Sequence, residues 1–339
     1  MGADDPLPRR PREDALVLRG ATRLMRIFPG IDAATQLRLR KRKRAIEREV
    51  LGKDSHTTIQ CCAPRTTLNV HAYGLGDVMM ARQMAAAFGA YLREYGDPEA
   101  GIVSLSAGGF MPLSDIEAGE TTVFWWYSFG PMDDTPERFL DDVLESCADV
   151  EFDLLLCGSE RIQEEARQAG YDTLYFPIGV YGYEPLGVER SGMGYAGSKN
   201  HKNDEKVAML MGPYADREDF EWVDHFTTID ELNLWYNTRL VTFGLTKEGQ
   251  RRWGVVNSRV FESLASGTPL IIPEHPTIDD VLGFEYPYQV SNAEETADFV
   301  DEILSDPDGT LETFRTYTER VREDHGYVRR LQTLFDAIA

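Results

Sequence analysis

The chain's 339 residues are enough for two domains of ordinary size, and a hydrophobic share of 42% supports packed cores and excludes wholesale disorder. Its net charge of -22 argues against a nucleic-acid partner, because phosphate backbones are gripped by a basic face. No apolar run nears the roughly 20 residues of a membrane-spanning helix, and the charged, proline-rich opening lacks the apolar core of a secretory leader, so a cytoplasmic protein is expected.

Charge is unevenly spread. Residues 1–53 hold 14 Lys and Arg against 7 Asp and Glu, a charge of +7, which leaves -29 on the remainder. That contrast sets 1–53 apart as a basic helical N-terminal extension. Its proline- and arginine-rich start gives way to Leu16, Leu24 and Ile27 at helical spacing, then to the basic run Arg38, Arg40, Lys41, Arg42, Lys43 and Arg44. Such a segment suits either peripheral contact with the cytoplasmic face of an anionic membrane or a solvated arm folded on the acidic body. Only seven of the cations are Lys, and acid in excess of Lys fits a halophilic cytosol whose salt screens self-repulsion.

From residue 66 strands and helices alternate. Residues 67–72 read as a strand, Gly74-Leu-Gly-Asp77 as a tight loop, and 78–95 as a helix stopped by Gly96. Short apolar strands are expected at 102–106, 122–127, 153–157 and 173–176, with helices at 137–147 and 160–169. The stretch 181–203, rich in Gly, Tyr, Ser and Asn, reads as a linker. The alternation restarts with strands at 206–211, 239–244 and 270–272 and helices at 230–237, 257–266 and 294–304; residues 310–338 close the chain as helix. An α/β protein with parallel sheets in two Rossmann-like lobes follows: 54–185 as the first lobe, 186–204 as linker, 205–309 as the second lobe and 310–339 as a closing helical segment.

Four cysteines add little. Cys61 and Cys62 are adjacent, Cys147 and Cys157 sit in apolar contexts and no C-x-x-C pair occurs, so small buried hydrophobes are expected rather than disulfides. Acidic pairs such as Asp133-Asp134, Asp141-Asp142 and Asp279-Asp280 are what so acidic a composition produces, and no metal is expected.

The most specific stretch runs from Asn257 to Pro273 and reads as helix, glycine cap and buried strand. Asn257 or Ser258 caps the start and Gly267 supplies the left-handed residue at the end. The helix N-terminus offers free N–H groups and a positive dipole end to a diphosphate. Glu262, one turn in, is an acceptor-only group able to take both hydroxyls of a ribose diol. The alternative is a solvent stripe, since Ser258, Glu262 and Ser266 fall at i, i+4, i+8, with Arg259 and Glu262 as a surface pair.

This stretch resembles the nucleotide-binding element of GT-B glycosyltransferases, closest to the group-1/family-4 type and its spore-maturation-protein relatives. The matching residues are Arg259, Phe261, Glu262, Ala265, Gly267 and Ile271. The likeness extends over roughly 66–338 and implies a GT-B fold, two lobes with a cleft between them. It implies that Glu262 holds the donor ribose and that Asn257, Ser258 and Arg259 sit by the diphosphate. It departs from the pattern in two places: retaining family-4 enzymes carry a glutamate eight residues before the one matched by Glu262, and Gly254 stands there; and where the relatives carry a basic pair after the first strand of the second lobe, Gly212-Pro-Tyr214 stands.

Arg217, Lys247 and Arg252 are the candidate phosphate partners, Arg217 because it is the nearest cation after the strand expected at 206–211. Gly74 and Gly76 form the glycine-rich loop that in this fold faces donor or acceptor, and His71 and Asp77 beside it are the candidate catalytic residues. The expected function is transfer of a sugar from a nucleotide-sugar donor to a glycan, lipid-linked or protein acceptor. No cofactor or metal is expected, the departing charge being met by helix dipole and basic side chains. The rivals are a non-catalytic nucleotide-sugar-binding scaffold, which Gly254 favours, and a sugar-nucleotide epimerase.

Overall fold

The computed structural model describes residues 56–73, 75–107, 119–127, 152–197, 204–224, 226 and 228–339. The basic extension 1–53, Gly74, Cys147 and the helix expected at 137–147 lie outside the described residues. Residues 58–339 form one compact unit.

In the first lobe β1 (His56–Cys62), β2 (Thr66–Tyr73), β3 (Gly101–Ala107), β4 (Thr121–Trp126), β5 (Leu154–Cys157) and β6 (Thr173–Tyr175) form a six-stranded sheet in chain order. β2 to β6 run parallel, with His71 opposite Ser106 and Ser106 opposite Phe124. Successive residues, not alternate ones, are buried along β3 and β4, which is the signature of a sheet covered on both faces. Helix α1 (Leu75–Tyr95) buries Met80, Met84, Ala87, Phe88 and Tyr91, an apolar stripe at helical spacing. Helix α2 (Glu160–Gln168) starts where the Ser159 hydroxyl accepts the Ile162 N–H at 3.2 Å.

The second lobe is a five-stranded parallel sheet ordered β11-β10-β9-β7-β8. Its strands are β7 (Met193–Ala196), β8 (Phe220–Val223), β9 (Val241–Phe243), β10 (Leu270–Pro273) and β11 (Gln289–Val290). Its helices are α3 (Asp204–Met211), α4 (Ile229–Asn237), α5 (Glu248–Arg252), α6 (Ser258–Ala265), α7 (Ile278–Leu282), α8 (Ala293–Ser305) and α9 (Pro307–Asp324).

Two readings of the sequence need correction here. Residues 206–211 form part of helix α3, not a strand; the five-residue apolar run 207–211 carries no periodicity that separates the two, and only its far end, Leu210 and Met211, is fully covered. The lobe's first strand is instead β7, inside the stretch read as linker, where Gly192 and Gly194 mask a buried Met193 and Tyr195. The glycines have a steric reason: a Cβ on Gly194 would lie 2.6 Å from the Trp235 ring.

Helix α10 (Tyr327–Ile338) leaves the second lobe and returns to the first, where the Phe335 ring lies 5.8 Å from Phe88 and 5.1 Å from Tyr91. The two chain crossings between lobes are tied together: Val180 N–H donates to His325 O at 2.9 Å and Tyr327 N–H to Val180 O at 3.0 Å. Gly179 permits this approach, since a Cβ there would sit 2.8 Å from the His325 carbonyl oxygen. Within the second lobe, Arg190 clamps the helix ends. Its guanidinium donates to the carbonyls of Tyr236, Arg239 and Ser266, to Thr268 Oγ1 and to Asn237 Oδ1. These carbonyls sit at the negative ends of α4 and α6, which favours a cation.

Candidate functional site

In the second lobe the chain begins at β7, steps to β8 on one side, then crosses to β9 on the other. Such a reversal opens a crevice outside the C-terminal ends of the two central strands, the usual ligand position in parallel α/β sheets. Arg259 spans it: Nε donates to Ala196 O, the last residue of β7, at 2.7 Å, and an Nη donates to Leu245 O, just past β9, at 3.1 Å. The guanidinium also lies 4.9 Å from the Tyr195 ring centroid. Burial works against its charge, yet Tyr195, Tyr236 and Glu262 together hold its pKa above the ordinary value.

Asn257 fixes the start of α6 in the same crevice. Its Oδ1 accepts the Arg259 N–H at 3.1 Å, and its Nδ2 donates to Leu245 O at 3.2 Å and Thr246 Oγ1 at 2.8 Å. The amide end of α6 is therefore pinned against the strand ends, and Ser258 occupies its first helical position.

Glu262, one turn along α6, is only 5% exposed, so the solvent-stripe alternative does not apply. Its Oε1 accepts from Gln83 Nε2 of α1 at 3.1 Å, a bond between lobes. Gln83 Oε1 in turn accepts the Tyr181 N–H at 2.9 Å. Burial raises the Glu262 pKa; Arg259 and the Gln83, Ser258 and Tyr183 side chains pull the other way. Burial first, and the negative carboxylate second, push up the pKa values of Tyr183 and Tyr236, and the same charge adds to burial at Tyr327.

At the C-terminal edge of the first-lobe sheet, Asp77 lies in the first turn of α1 and not in a loop; the helix begins at Leu75, so Gly76 is helical as well. The Tyr127 hydroxyl donates to Asp77 Oδ1 at 2.7 Å. Burial lifts the Asp77 pKa from 3.8 to about 7, opposed by the Tyr127 bond and by the charge of Lys247 from the second lobe. His71, near the end of β2, is buried with Nδ1 2.9 Å from Thr58 Oγ1.

Lys247 caps α5. That helix carries a charge cluster within the second lobe: Glu248 lies 3.3 Å from Lys206 of α3, and 3.7 Å from Arg251 and 3.4 Å from Arg252 of its own helix. Burial works against the Glu248 charge, but these three cations hold its carboxyl below the ordinary range. The lobes meet here in several places. Gln250 Nε2 donates to Tyr127 O at 3.4 Å, Arg161 donates to Arg252 O at 2.8 Å, and the Arg161 guanidinium stacks 4.6 Å from the Trp253 ring.

Gly254 adopts a left-handed φ of +73°, and a Cβ there would approach Thr277 Cγ2 at 3.1 Å, so this backbone is shaped for glycine at the position where the family-4 resemblance led a glutamate to be expected. Arg217 lies elsewhere. It pairs with Asp219 at 2.8 Å just before β8, at the opposite end of the strands from the crevice. Its selection followed from the strand misplaced at 206–211. The residues the sequence reading missed are Gln83, Tyr181, Tyr183 and Lys206; only the folded arrangement brings Gln83 and Tyr183 to Glu262, the Tyr181 N–H to Gln83 and Lys206 to Glu248. Among the described residues no group of three or more His, Cys, Asp or Glu is arranged to hold a metal ion, and no helix is long and apolar enough to cross a membrane. Cys157 is buried, and burial pushes its thiol up to about 12.

Residues 199–336 match the family described as glycosyl transferase-like. No curated protein matches the chain. Among solved structures, the chain is similar to S. aureus TarM, solved as a mutant with Fondaparinux, alpha-GlcNAc-glycerol and UDP: identity is 9%, the TM-score 0.52, and the match covers 79% of this chain and 59% of that one. Sucrose-phosphate synthase from Thermosynechococcus elongatus matches at 14% identity and a TM-score of 0.46, over 78% of this chain and 82% of that one. A UDP-forming alpha,alpha-trehalose-phosphate synthase from Burkholderia xenovorans matches at 12% identity and 0.48, over 84% and 91%. The likeness to TarM shows the fold, which is GT-B.

Proposed function

We propose that this chain, which carries a glycosyl transferase-like domain on a GT-B fold, transfers a sugar from a nucleotide-sugar donor to an acceptor. The observation that carries the reading is the placement of Glu262. It is a buried carboxylate one turn into a helix whose amide end is pinned at the reversal crevice, and it faces the first lobe. There it takes a ribose diol while the diphosphate lies at the Asn257–Ser258 amides.

Arg259 acts as the clamp that holds α6 to the strand ends. Lys247, Arg252 and, added by the structure, Lys206 and Arg251 supply positive charge where the leaving diphosphate develops its own. Asp77 serves as the base for an acceptor hydroxyl: a carboxyl with a pKa near 7 is matched to proton transfer at neutral pH. Closure of the lobes excludes water and favours transfer over hydrolysis. The acceptor class is a glycan, lipid-linked or protein hydroxyl, a lipid-linked one being consistent with the basic extension 1–53. Gly254 favours one second reading, a protein that binds the donor without turning it over.

Thermal-shift titration with UDP, GDP, dTDP and CDP tests the donor site, since a ligand of the native state raises its melting temperature. One of the four stabilises the wild type, and Glu262→Ala loses most of that shift. An equal shift in the variant removes Glu262 from the site.

A further inference from the structure

This inference rests on the reading of Glu262 as the ribose-binding carboxylate. Gln83 is fully buried on α1 of the first lobe, 179 residues from Glu262 in sequence. Both ends of its amide are engaged. Nε2 donates to Glu262 Oε1 at 3.1 Å and Oε1 accepts the Tyr181 N–H at 2.9 Å, so the side chain joins α1, the interlobe crossing and α6. A ribose diol must deliver its hydroxyl hydrogens to the same buried carboxylate, whose Oε1 is taken by Gln83 while Ser258 and Tyr183 also engage the group.

We propose that Gln83 is an interlobe latch, whose amide competes with the donor's ribose for Glu262, so that a nucleotide enters only as the first lobe withdraws. Without ligand the closed arrangement places Gln83 on the carboxylate; withdrawal of the first lobe frees that oxygen for the diol, and the lobes then close over the bound donor with the Gln83 amide displaced. Apparent affinity is then the intrinsic affinity reduced by the fraction of molecules unlatched. A hydrogen bond to a charged group is among the stronger ones, so the latched fraction dominates and its removal gives a large gain in binding. No change in the nucleotide's own contacts is required.

The test is calorimetric titration of the full chain with UDP and GDP, alongside stopped-flow association. Two variants act differently. Gln83→Met conserves volume but cannot donate to Glu262, while Gln83→Glu keeps the acceptor for Tyr181 and sets a like charge against Glu262. Both are expected to bind the preferred nucleotide about ten-fold tighter or more, with faster association. The Gln83→Glu gain grows as pH rises and both carboxylates ionise.

Unchanged or weaker binding in both variants, with binding still lost in Glu262→Ala, overturns the latch and leaves the donor site standing. Failure of UDP, GDP, dTDP and CDP to bind wild type or either variant overturns the donor site and the latch together. A Gln83 that merely supports the fold lowers stability in both variants without raising affinity or association rate.

Discussion

Replacing Asp77 with Asn removes a charge that burial disfavours while keeping an acceptor for the Tyr127 hydroxyl, 2.7 Å away. The folded chain holds this carboxyl at about 7 against an ordinary 3.8, burial outweighing the Tyr127 bond and Lys247. A raised folded pKa means that the folded state binds the proton more tightly. Below about pH 4 both states are protonated here and the group costs nothing. As pH rises the unfolded chain ionises first, and stability falls until the folded carboxyl also ionises near 7. At about 1.4 kcal/mol for each tenfold in proton affinity, the loss comes to about 4 kcal/mol above that pH. Urea unfolding of wild type and Asp77→Asn from roughly pH 4 to 8 measures it. The variant gains on the wild type by about that amount across the range, because it lacks the ionisation; taking the difference between the two proteins removes every other titrating group. A difference that stays constant with pH refutes the assigned environment of Asp77. If Asp77 is also the base, transfer by the wild type rises with pH through about 7 and the variant's residual rate loses that limb.

Two further predictions concern the frame of the site. Arg190→Met removes the side-chain donor from the Arg239 and Ser266 carbonyls, while Tyr236 O keeps Thr268 Oγ1 and Asn237 Oδ1 keeps the Leu186 N–H, and the urea midpoint is expected to fall by the equivalent of about 3–5 kcal/mol. His275 and His325 are each lowered by burial from 6.5 to about 4. Their neutral forms stabilise the fold above pH 6.5, and this is lost as pH falls toward 4, about 3 kcal/mol per imidazole; proton NMR is expected to show neither ring titrating near 6.5.

How far the sequence carried the fold depended on periodicity. The strand expected at 102–106 was found as Gly101–Ala107, and the helix at 294–304 as Ala293–Ser305, because a buried apolar block and a capped amphipathic run are each local signals. Asn292 illustrates the second: its side chain accepts the N–H groups of Glu294 and Glu295. β7 escaped because its identity as a strand is decided by its neighbours β8 and β9, not by its own four residues.

The helix of residues 310–338 is two elements, α9 and α10, parted at His325 and Gly326, where the chain must turn back to the first lobe; nothing in the local pattern announces that return. Within the site, Glu262 and Asn257 were legible as a helix-start pattern. Gln83 was not, since a lone glutamine on an apolar helix face looks like any polar position until a partner 179 residues away is brought against it.

The central claim is sugar transfer at the Glu262 crevice, and turnover tests it most directly. Wild type and Glu262→Ala are incubated with a panel of nucleotide sugars, with and without glycan and lipid-linked acceptors, and released nucleoside diphosphate is measured. Release by the wild type that requires an acceptor, and falls at least a hundred-fold in the variant, about 2.7 kcal/mol of transition-state binding, is the predicted result. Tight nucleotide binding without release under any acceptor, or release that Glu262→Ala leaves unchanged, contradicts it.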